Sequence, residues 1–407
     1  MFPDKPKKKK IVYLDHAATT YCREAVRETM DPYFFEQFAN PSSLYSLGRE
    51  VNGAINSARR QVADILGTVS DSIIFTSGGT ESDNLAIFGV AQANKEKGRH
   101  IITTAGEHPA VLHALQELEK QGFQVTYLSL DRQGNIDLKE LVAAICPETI
   151  LVSIMYANNE IGTIYPIADI GREILKWRKA KNTPFPFFHS DACQAAGVVD
   201  LSVEKNHVDL LTLNGSKIYG PKGTGVLYKR RGVSLHPQMV GGSQEFKLRA
   251  GTENTAGIIG LAKALELAQE DREKENQRLF TLRQYFWEKI QATVPDVALN
   301  GPELINPDVR LPNNLNVSFT GIEGEALLLY LDEYGVMVST GSACSSLSLK
   351  PSHVLTACGL PPVVAHSSLR FTLGQRTTKT DLDYVIKYLG PIVARLREIS
   401  PLNSRIK

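Results

Sequence analysis

The sequence lacks the features that mark several classes of protein. Its 407 residues include five cysteines, an odd number with no CxxC pair, so neither a disulfide framework nor a zinc site is expected. No apolar run is long enough to span a bilayer, and the N-terminus has no apolar stretch typical of a signal peptide. A formal net charge of +1 gives no overall field that would attract nucleic acid or a membrane. We therefore expect a cytoplasmic protein without metal, nucleic-acid or membrane partners.

The order of apolar runs indicates the fold class. Strand-like and helix-like runs alternate over residues 73–191, which predicts an α/β fold with a mostly parallel sheet covered by helices. A long helical pattern over residues 256–292 leads into a further mixture of strands and helices. Because the chain is too long for one simple core, we expect a large domain over residues 15–260. Residues 1–14 and 261–407 are expected to form a smaller α+β domain.

A lysine in a tight turn is the feature around which the rest of the chain is interpreted. Two apolar runs, residues 208–213 and 226–228, are predicted strands, and the Gly- and Pro-rich stretch between them contains Lys217 and Lys222. Lysines usually lie on solvated surfaces. A desolvated lysine loses its proton more readily and can act as an amine nucleophile, as Schiff-base chemistry requires. A hairpin with a surface lysine is the alternative that this stretch leaves open.

A glycine turn earlier in the chain suggests a phosphate site. Residues 73–76 form a predicted strand, residues 77–84 contain Gly78, Gly79 and Thr80, and residues 85–97 are a predicted helix. Backbone N–H groups at such a helix start can bind a phosphate, and Thr80 adds a hydroxyl. The stretch matches neither a Walker loop nor GxGxxG, so an ATP or dinucleotide site is not favoured. An ordinary capped helix is the alternative.

Polar residues follow several of the predicted strands, where ligands of such sheets bind. They are His108, Asn158, Asn159, Glu160, Asp191, Gln194 and Lys217. Pyridoxal phosphate requires such a set: a lysine for the Schiff base, a carboxylate for the pyridinium nitrogen, and polar groups for the phosphate. Asp191 precedes Lys217 by 217 − 191 = 26 residues, which allows one crossover between neighbouring strands.

Several motifs together identify a family. They occupy residues 76–84, 107–108, 158–162, 191–194, 217–223, 249–252, 341–344 and 366–371. With them, nearly the whole chain resembles the cysteine desulfurases of the NifS/IscS type, which are class V, fold-type I pyridoxal-phosphate enzymes. The resemblance implies removal of sulfur from L-cysteine to give L-alanine and an enzyme-bound persulfide. It also implies delivery of that sulfur to an acceptor protein, such as an iron–sulfur scaffold, or to tRNA thiolation.

The resemblance also implies a role for individual residues that bind the cofactor. Lys217, rather than Lys222, forms the Schiff base, and Asp191 pairs with the pyridinium nitrogen. His108 stacks on the ring and is a candidate proton shuttle. The remaining cofactor contacts are Asn159 and Gln194 at the phenolic oxygen, and Gly79, Thr80, Asn214 and Ser216 at the phosphate. Thr252 reaches the phosphate from a second subunit, which implies a homodimer.

Substrate binding and sulfur transfer are implied for three further residues. Asn40 and Arg370 hold the substrate carboxylate, which a guanidinium matches in bidentate geometry. Cys344 is the nucleophile, in a stretch of small residues whose composition predicts a mobile loop. A buried structural role suits Cys358 and Cys146 better.

The chain departs from the family pattern before the lysine. The usual Ser-x-His-Lys is replaced by Asn214, Gly215, Ser216 and Lys217, which removes a potentially cationic phosphate ligand and predicts weaker cofactor retention. Tyr45 stands where a histidine is common, and we have no physical account of it. The alternatives are a selenocysteine lyase, a class V aminotransferase or, from a different class, a non-catalytic scaffold. Residues 400–404 resemble a tail by which the family contacts a scaffold protein.

Overall fold

The structure is a computed structural model that describes residues 2–6, 8–340 and 351–401. The strands are β1 (Val12–Tyr13), β2 (Ile73–Thr76), β3 (His100–Thr104), β4 (Gln124–Leu128), β5 (Thr149–Ser153), β6 (Phe187–Asp191), β7 (Leu210–Asn214), β8 (Gly225–Lys229), β9 (Val297–Asn300), β10 (Asn314–Phe319), β11 (Val336–Met337) and β12 (Ser368–Thr372). Within the described ranges, no helix has the length and apolarity to cross a membrane.

The helices fall between and after these strands. They are α1 (Glu24–Met30), α2 (Pro32–Phe35), α3 (Ser46–Leu66), α4 (Gly79–Asn94), α5 (Pro109–Lys120), α6 (Leu138–Ala144), α7 (Ile167–Lys181), α8 (Val203–Asn206), α9 (Thr255–Glu270), α10 (Arg272–Thr293), α11 (Gly324–Glu333), α12 (His353–Ala357), α13 (Pro362–His366) and α14 (Lys379–Ile399). Short 3₁₀ turns occupy residues 70–72, 215–217 and 245–247.

A seven-stranded sheet dominates the described part of the chain. Its order is β2-β8-β7-β6-β5-β3-β4, in which β7 to β4 run parallel while β8 is antiparallel to both neighbours. Strand β5 is buried along its whole length, as its continuous apolar run predicts for a strand covered on both faces. The predicted α/β class with a mostly parallel sheet is therefore confirmed.

Apolar clusters cover both faces of this sheet. One cluster joins α3, α7 and α9 to the sheet and includes Val51, Ile170 and Leu261, and the other joins α4 and α5 and includes Ile87 and Val111. Burying each such side chain contributes about 1.5–3 kcal/mol to folding. The helices therefore hold the strand ends, and the residues that follow them, in fixed positions.

A second core lies around a smaller antiparallel sheet, β12-β10-β9. Phe286 of α10, Phe319 of β10 and Phe371 of β12 meet in it, edge to face. Strand β1 pairs in parallel with β11, which connects the start of the chain to this core. The predicted domain boundaries, 15–260 against 1–14 and 261–407, stay a prediction.

One predicted element is wrong. The helical pattern over residues 256–292 is not one helix but α9 and α10, which meet at Asp271. The Asp271 N–H closes α9 on the Leu267 carbonyl at 3.1 Å, and its carboxylate accepts from Arg23 at 3.0 Å. Apolar periodicity continues across this break because both segments are helical, so periodicity alone could not reveal it.

Candidate active site

A cavity of about 550 Å³ opens where β5, β6 and β7 end. Its size suits a cofactor or small substrate. Nine of the site residues predicted from the sequence line it together: Gly79, Thr80, His108, Asn159, Asp191, Gln194, Asn214, Lys217 and Arg370. The carboxyl end of the sheet therefore gathers the polar side chains that topology predicts there.

The Lys217 side chain enters the cavity from a short turn after β7. Asn214 ends the strand, and its side-chain oxygen accepts from both the backbone N–H and the hydroxyl of Ser216, each at 3.0 Å, which fixes the start of the 3₁₀ turn. The Lys217 Nζ donates to the carbonyls of Ala17 at 2.8 Å and Ala18 at 2.6 Å. Lys217 is thus half-buried and held against the N-terminal segment, rather than extended into solvent.

Carboxyl groups form the floor of the cavity. Asp191, which is 6% exposed, ends β6 and accepts from the Cys193 backbone N–H at 2.9 Å. Asp83 also lines the cavity and is 1% exposed, and its Oδ1 has no hydrogen-bond partner among the described residues. Burial, with the charge of Asp191 added, raises the pKa of Asp83 well above its ordinary value. The floor therefore suits a group that carries positive charge or donates a hydrogen.

A neutral histidine lies behind this floor. His189 is fully buried between the hydroxyls of Ser153, at 2.9 Å, and Thr212, at 3.0 Å, and lies 3.6 Å from Asp83. Burial lowers the pKa of His189 to about 4, so the ring is uncharged at neutral pH. His189 therefore adds hydrogen bonds but no charge to the floor.

His108 forms the start of α5 and covers one side of the cavity. Its Nδ1 accepts from the Ala110 backbone N–H at 3.2 Å, which places the hydrogen of the neutral ring on Nε2. Burial lowers the pKa of His108, against the opposing attraction of Asp191. The preceding Glu107 is fully buried, and burial raises its pKa to about 8. The imidazole is therefore a neutral ring whose position the helix start determines.

The glycine turn that the sequence suggests as a phosphate site forms one end of the cavity. Helix α4 begins at Gly79 without a side-chain cap, so its first N–H groups face outward. Gly78 has φ of 154°, which favours glycine, and a Cβ on Gly79 would lie 2.7 Å from the Cys193 sulfur. Thr80 lines the same space. The backbone approach that the glycines permit is thus combined with an uncapped helix start, as anion binding requires.

Arg370 lies on the side of the cavity opposite the seven-stranded sheet. It is on β12, its side chain is 3% exposed, and it donates to Asp15 at 2.8 Å and to the Asn159 carbonyl at 3.1 Å. Its Nε has no hydrogen-bond partner among the described residues. Gln194 donates to the Ala17 carbonyl at 2.9 Å. The guanidinium is therefore held in place by two partners at the edge of the cavity that Arg370 lines.

Three other predicted residues lie elsewhere. Asn40 is exposed and its side chain accepts from the Ser42 backbone N–H at 2.9 Å, away from the cavity lining. Thr252 is exposed beside a neighbouring groove. Ser216 lines an adjoining depression with Asn214. Their roles stay predictions, as do those of the residues in the cavity.

Cys344 lies outside the described residues, but both ends of the segment that contains it are described. Before it, the backbone of Ser339 exchanges hydrogen bonds of 3.2 and 2.7 Å with Arg370. After it, Pro351 lines the cavity, and Ser352 donates a short hydrogen bond to Glu160. Of the described residues next to this segment, Pro351 lines the cavity, and Ser339 is paired with the backbone of Arg370, whose side chain lines it.

The described cysteines divide by burial. Cys193 and Cys358 are buried, Cys146 is partly buried and Cys22 is exposed. Burial raises the pKa of Cys358 to about 12, and that of Cys193 well above its ordinary value, so both favour the thiol form. No three His, Cys, Asp or Glu side chains of the described ranges are arranged to hold a metal.

Like His113, His353 is a cavity residue that sequence reasoning missed. It begins α12, lines the cavity and donates from Nε2 to the Glu107 carbonyl at 2.9 Å. Asp83 was noticed only as part of a motif, and Glu160 was listed after a predicted strand without a role, although both line the cavity and burial raises the pKa of Glu160 to about 7. The position of His353, nine residues after Cys344 (353 − 344), was the available signal.

Comparisons with known proteins agree with this geometry. The family model "Aminotransferase class-V" matches residues 12–385. A protein of Clostridium botulinum (strain Hall) named "Cysteine desulfurase IscS" is 52% identical over 393 residues, 97% of each chain. One of the same name from Dictyoglomus turgidum is 52% identical over 98% of each chain.

Solved structures give the same result for the fold. A "NifS-like protein" superposes with a TM-score of 0.88 at 37% identity, covering 95% of this chain and all of that one. A structure described as "SspA in complex with cysteine" superposes with a TM-score of 0.76 at 36% identity, covering 90% and 99%. The chain belongs to the class V aminotransferase family, and its fold is that of the NifS-like proteins.

Proposed function

We propose that the protein is a pyridoxal-phosphate-dependent cysteine desulfurase. One observation carries the proposal: Lys217, Asp191 and the uncapped start of α4 line a single cavity, which Pro351, seven residues after Cys344 (351 − 344), also lines. The names of the relatives described above support the same activity.

The residues of the cavity fit pyridoxal phosphate. The unpartnered, buried Asp83 Oδ1 and the neighbouring Asp191 suit its ring nitrogen, and the α4 start with Thr80 suits its phosphate. When bound, this cofactor supplies an electron-withdrawing ring that stabilises negative charge on the α carbon of an attached amino acid. Among the lysines that the structure describes, Lys217 is the one that lines the cavity, so we assign it the covalent attachment.

Proton movement falls to the residues around that amine. The Lys217 Nζ, already oriented by the carbonyls of Ala17 and Ala18, takes the α proton of the substrate. His108 presents a neutral ring over the cavity and carries its hydrogen on Nε2, so it can donate a hydrogen bond there. Arg370, which lines the cavity, binds the substrate carboxylate.

Sulfur transfer then requires a nucleophile. The Cys344 thiolate attacks the sulfur of L-cysteine, the S–S bond forms as the Cβ–S bond breaks, and the electron pair remains with the substrate carbon. After protonation of that carbon the products are L-alanine and a persulfide on Cys344, so the atoms of one thiol and one cysteine are conserved. We propose that an acceptor protein, such as an iron–sulfur scaffold, takes the outer sulfur.

A homodimer is also proposed. Phe34, Phe35, Phe38 and Leu44 are 66–88% exposed, although they are close together in the sequence around α2. Large apolar groups so exposed mark an interaction surface. Thr252, exposed beside the phosphate end, is available to a partner subunit's cofactor. Sedimentation of the protein as a monomer at micromolar concentration would contradict this.

Mass spectrometry tests the activity directly. After incubation with L-cysteine we expect one added sulfur on the peptide of Cys344 and equimolar L-alanine. Cys344→Ala should bind the cofactor but yield no alanine, whereas the matched Cys193→Ala should retain both. An aminotransferase would remain active as Cys344→Ser, and a non-catalytic scaffold would bind no yellow cofactor, so either result would refute the proposal.

A further inference from the structure

A cup of about 410 Å³ adjoins the cavity at the start of α4. Gly79 and Thr80 of the helix start lie on one side of it, and Asn214, Ser216 and Lys222 of the lysine turn lie on the other. The cup is therefore the place where the two motifs singled out in the sequence meet. It is also where the phosphate of the cofactor would lie if the proposed function holds.

The uncharged groups of the cup can donate hydrogen bonds but supply no full positive charge. The Ser216 hydroxyl donates to Asn214 at 3.0 Å, so its hydrogen is already used. The Asn214 Nδ2 faces Gly79, lying 3.5 Å from the place of a Cβ there. Thr80 and the N–H groups of α4 complete the donors. None of these carries a full positive charge, although a phosphate ester carries nearly two negative charges at neutral pH.

The ionisable groups of the cup are Glu81 and Lys222, among the described residues that line it. Glu81 is engaged by Arg249, whose Nε donates at 2.9 Å, and by the Ser77 N–H at 2.8 Å. The Glu81 carboxylate is therefore already engaged by Arg249 and Ser77. No ion pair of Lys222 occurs in the described part of the chain. Lys222 is thus the one cation of the cup, and its charge is not matched by a carboxylate there.

Lys217 and Lys222 lie in the same stretch between β7 and β8 but line different spaces. Lys217 donates to the carbonyls of Ala17 and Ala18 and lines the cavity, whereas Lys222 donates to the Thr20 carbonyl at 3.1 Å and lines the cup. An ammonium has three N–H donors, so the bond to Thr20 orients Lys222 and leaves capacity for an anion. Gly223, with φ of 75°, completes the turn that presents it.

We propose that Lys222 binds the phosphate of the cofactor and supplies the positive charge that Ser216 cannot. The inference rests on the proposed function and deepens it. Lys222 belongs to the motif over residues 217–223, so the weaker cofactor retention expected from Ser216 stays a prediction beside this one.

Binding of pyridoxal phosphate and of pyridoxal, which lacks the phosphate, separates this role from any other. With the dimeric apoprotein, titrated by absorbance at fixed ionic strength, Lys222→Gln should weaken pyridoxal phosphate binding by about 10- to 100-fold, as loss of a charged hydrogen bond predicts. Pyridoxal binding should change less than about twofold, and Lys222→Arg should retain most of the affinity. Lys139→Gln, which removes an exposed charge on α6 outside the cup, is the matched control.

A second variant guards against simple misfolding. Ser216→His in the Lys222→Gln background should recover at least part of the affinity for pyridoxal phosphate, and competition by inorganic phosphate should recover with it. Equal losses of affinity for pyridoxal phosphate and pyridoxal, or no loss for either, would overturn the role of Lys222 and leave the proposed function standing. Failure of the wild-type protein to bind pyridoxal phosphate at all would overturn the proposed function as well.

Discussion

The two sides of the cavity differ in where they come from and in what they can do. The sheet wall, made of Gly79, Thr80, Asp191 and Lys217, comes from the ends of the large sheet. The far wall, made of Pro351, His353 and Arg370, comes from the part of the chain that builds the second core. The sheet wall has the groups for an aromatic phosphate, and the far wall has a guanidinium and the end of the segment that contains Cys344.

Among the described residues, three hydrogen bonds join the walls. Arg370 donates to the Asn159 carbonyl at 3.1 Å, Ser352 donates to Glu160, and His353 donates to the Glu107 carbonyl at 2.9 Å. Each acceptor follows β3 or β5 of the large sheet. Cofactor binding and substrate handling are therefore expected to be separable by mutation, with coupling confined to these contacts.

Lys217→Ala tests the sheet wall and has the largest expected effect. Removing the amine should abolish the covalent attachment of the cofactor and lower turnover by at least about 10³-fold, the scale of a lost acid–base group. The absorbance band of the bound cofactor should disappear or shift, and alanine production should stop. Lys222→Arg serves as the control in the same turn. A Lys217→Ala variant that still turns over at near the wild-type rate would place the chemistry elsewhere.

Arg370→Lys tests the far wall and should act on the substrate alone. A lysine keeps the charge but loses the planar fork, so kcat/KM for L-cysteine should fall by about 10- to 100-fold, mainly through KM. Cofactor affinity, measured by titration of the apoprotein, should change little. Asp15→Asn, which removes the partner of Arg370 at 2.8 Å, is the control for disturbance of the guanidinium itself. Loss of the cofactor from Arg370→Lys would show that the walls are not separable.

The sheet wall was more predictable from the sequence than the far wall. Lys217, Asp191 and Gly79 follow strands whose apolar runs are plain, and parallel topology brings strand ends together. Strand β2 was predicted with the observed bounds, residues 73–76. Helix α4 was expected from residue 85 but begins at Gly79, because an uncapped glycine start carries no periodic apolar signal.

The far wall depends on contacts between distant parts of the chain. His353 reaches the cavity through a hydrogen bond that spans 246 positions, and Arg370 pairs with Asp15 across 355. No local pattern encodes such a pairing, which is why His353 was missed and Arg370 was found only through the family resemblance. Asn40 was placed at the substrate by the same resemblance, and the single chain does not bring it to the cavity lining.

Gly79→Ala tests how closely the sheet wall is packed. An added Cβ would lie 2.7 Å from the buried Cys193 sulfur, which cannot move far. We expect a loss of about 1–3 kcal/mol in the free energy of unfolding, the usual cost of overpacking, with weaker cofactor binding. Combining it with Cys193→Ala should restore part of the stability. Additive losses in the double variant would mean that the two side chains do not conflict.

Glu107→Gln gives the smallest effect and tests the junction of the walls. Glu107 accepts from Thr104 at 2.9 Å and from the Met155 N–H at 3.0 Å, and burial raises its pKa to about 8. The native state therefore binds a proton that the unfolded chain, with a carboxyl pKa near ~4.3, gives up. Stability from this group is complete below the unfolded pKa and is lost as pH rises through about 8.

Urea unfolding between pH 5 and 8 measures that loss. The wild type should lose stability with rising pH by at most about 1.4 kcal/mol per pH unit from this group, and Glu107→Gln should flatten the slope. Glu96→Gln, at an exposed position, should leave the slope as it is. The Glu107 carbonyl also accepts the hydrogen bond from His353. If Glu107→Gln changed the pH dependence of activity but not the pH dependence of stability, Glu107 would act by positioning His353 and not by its charge.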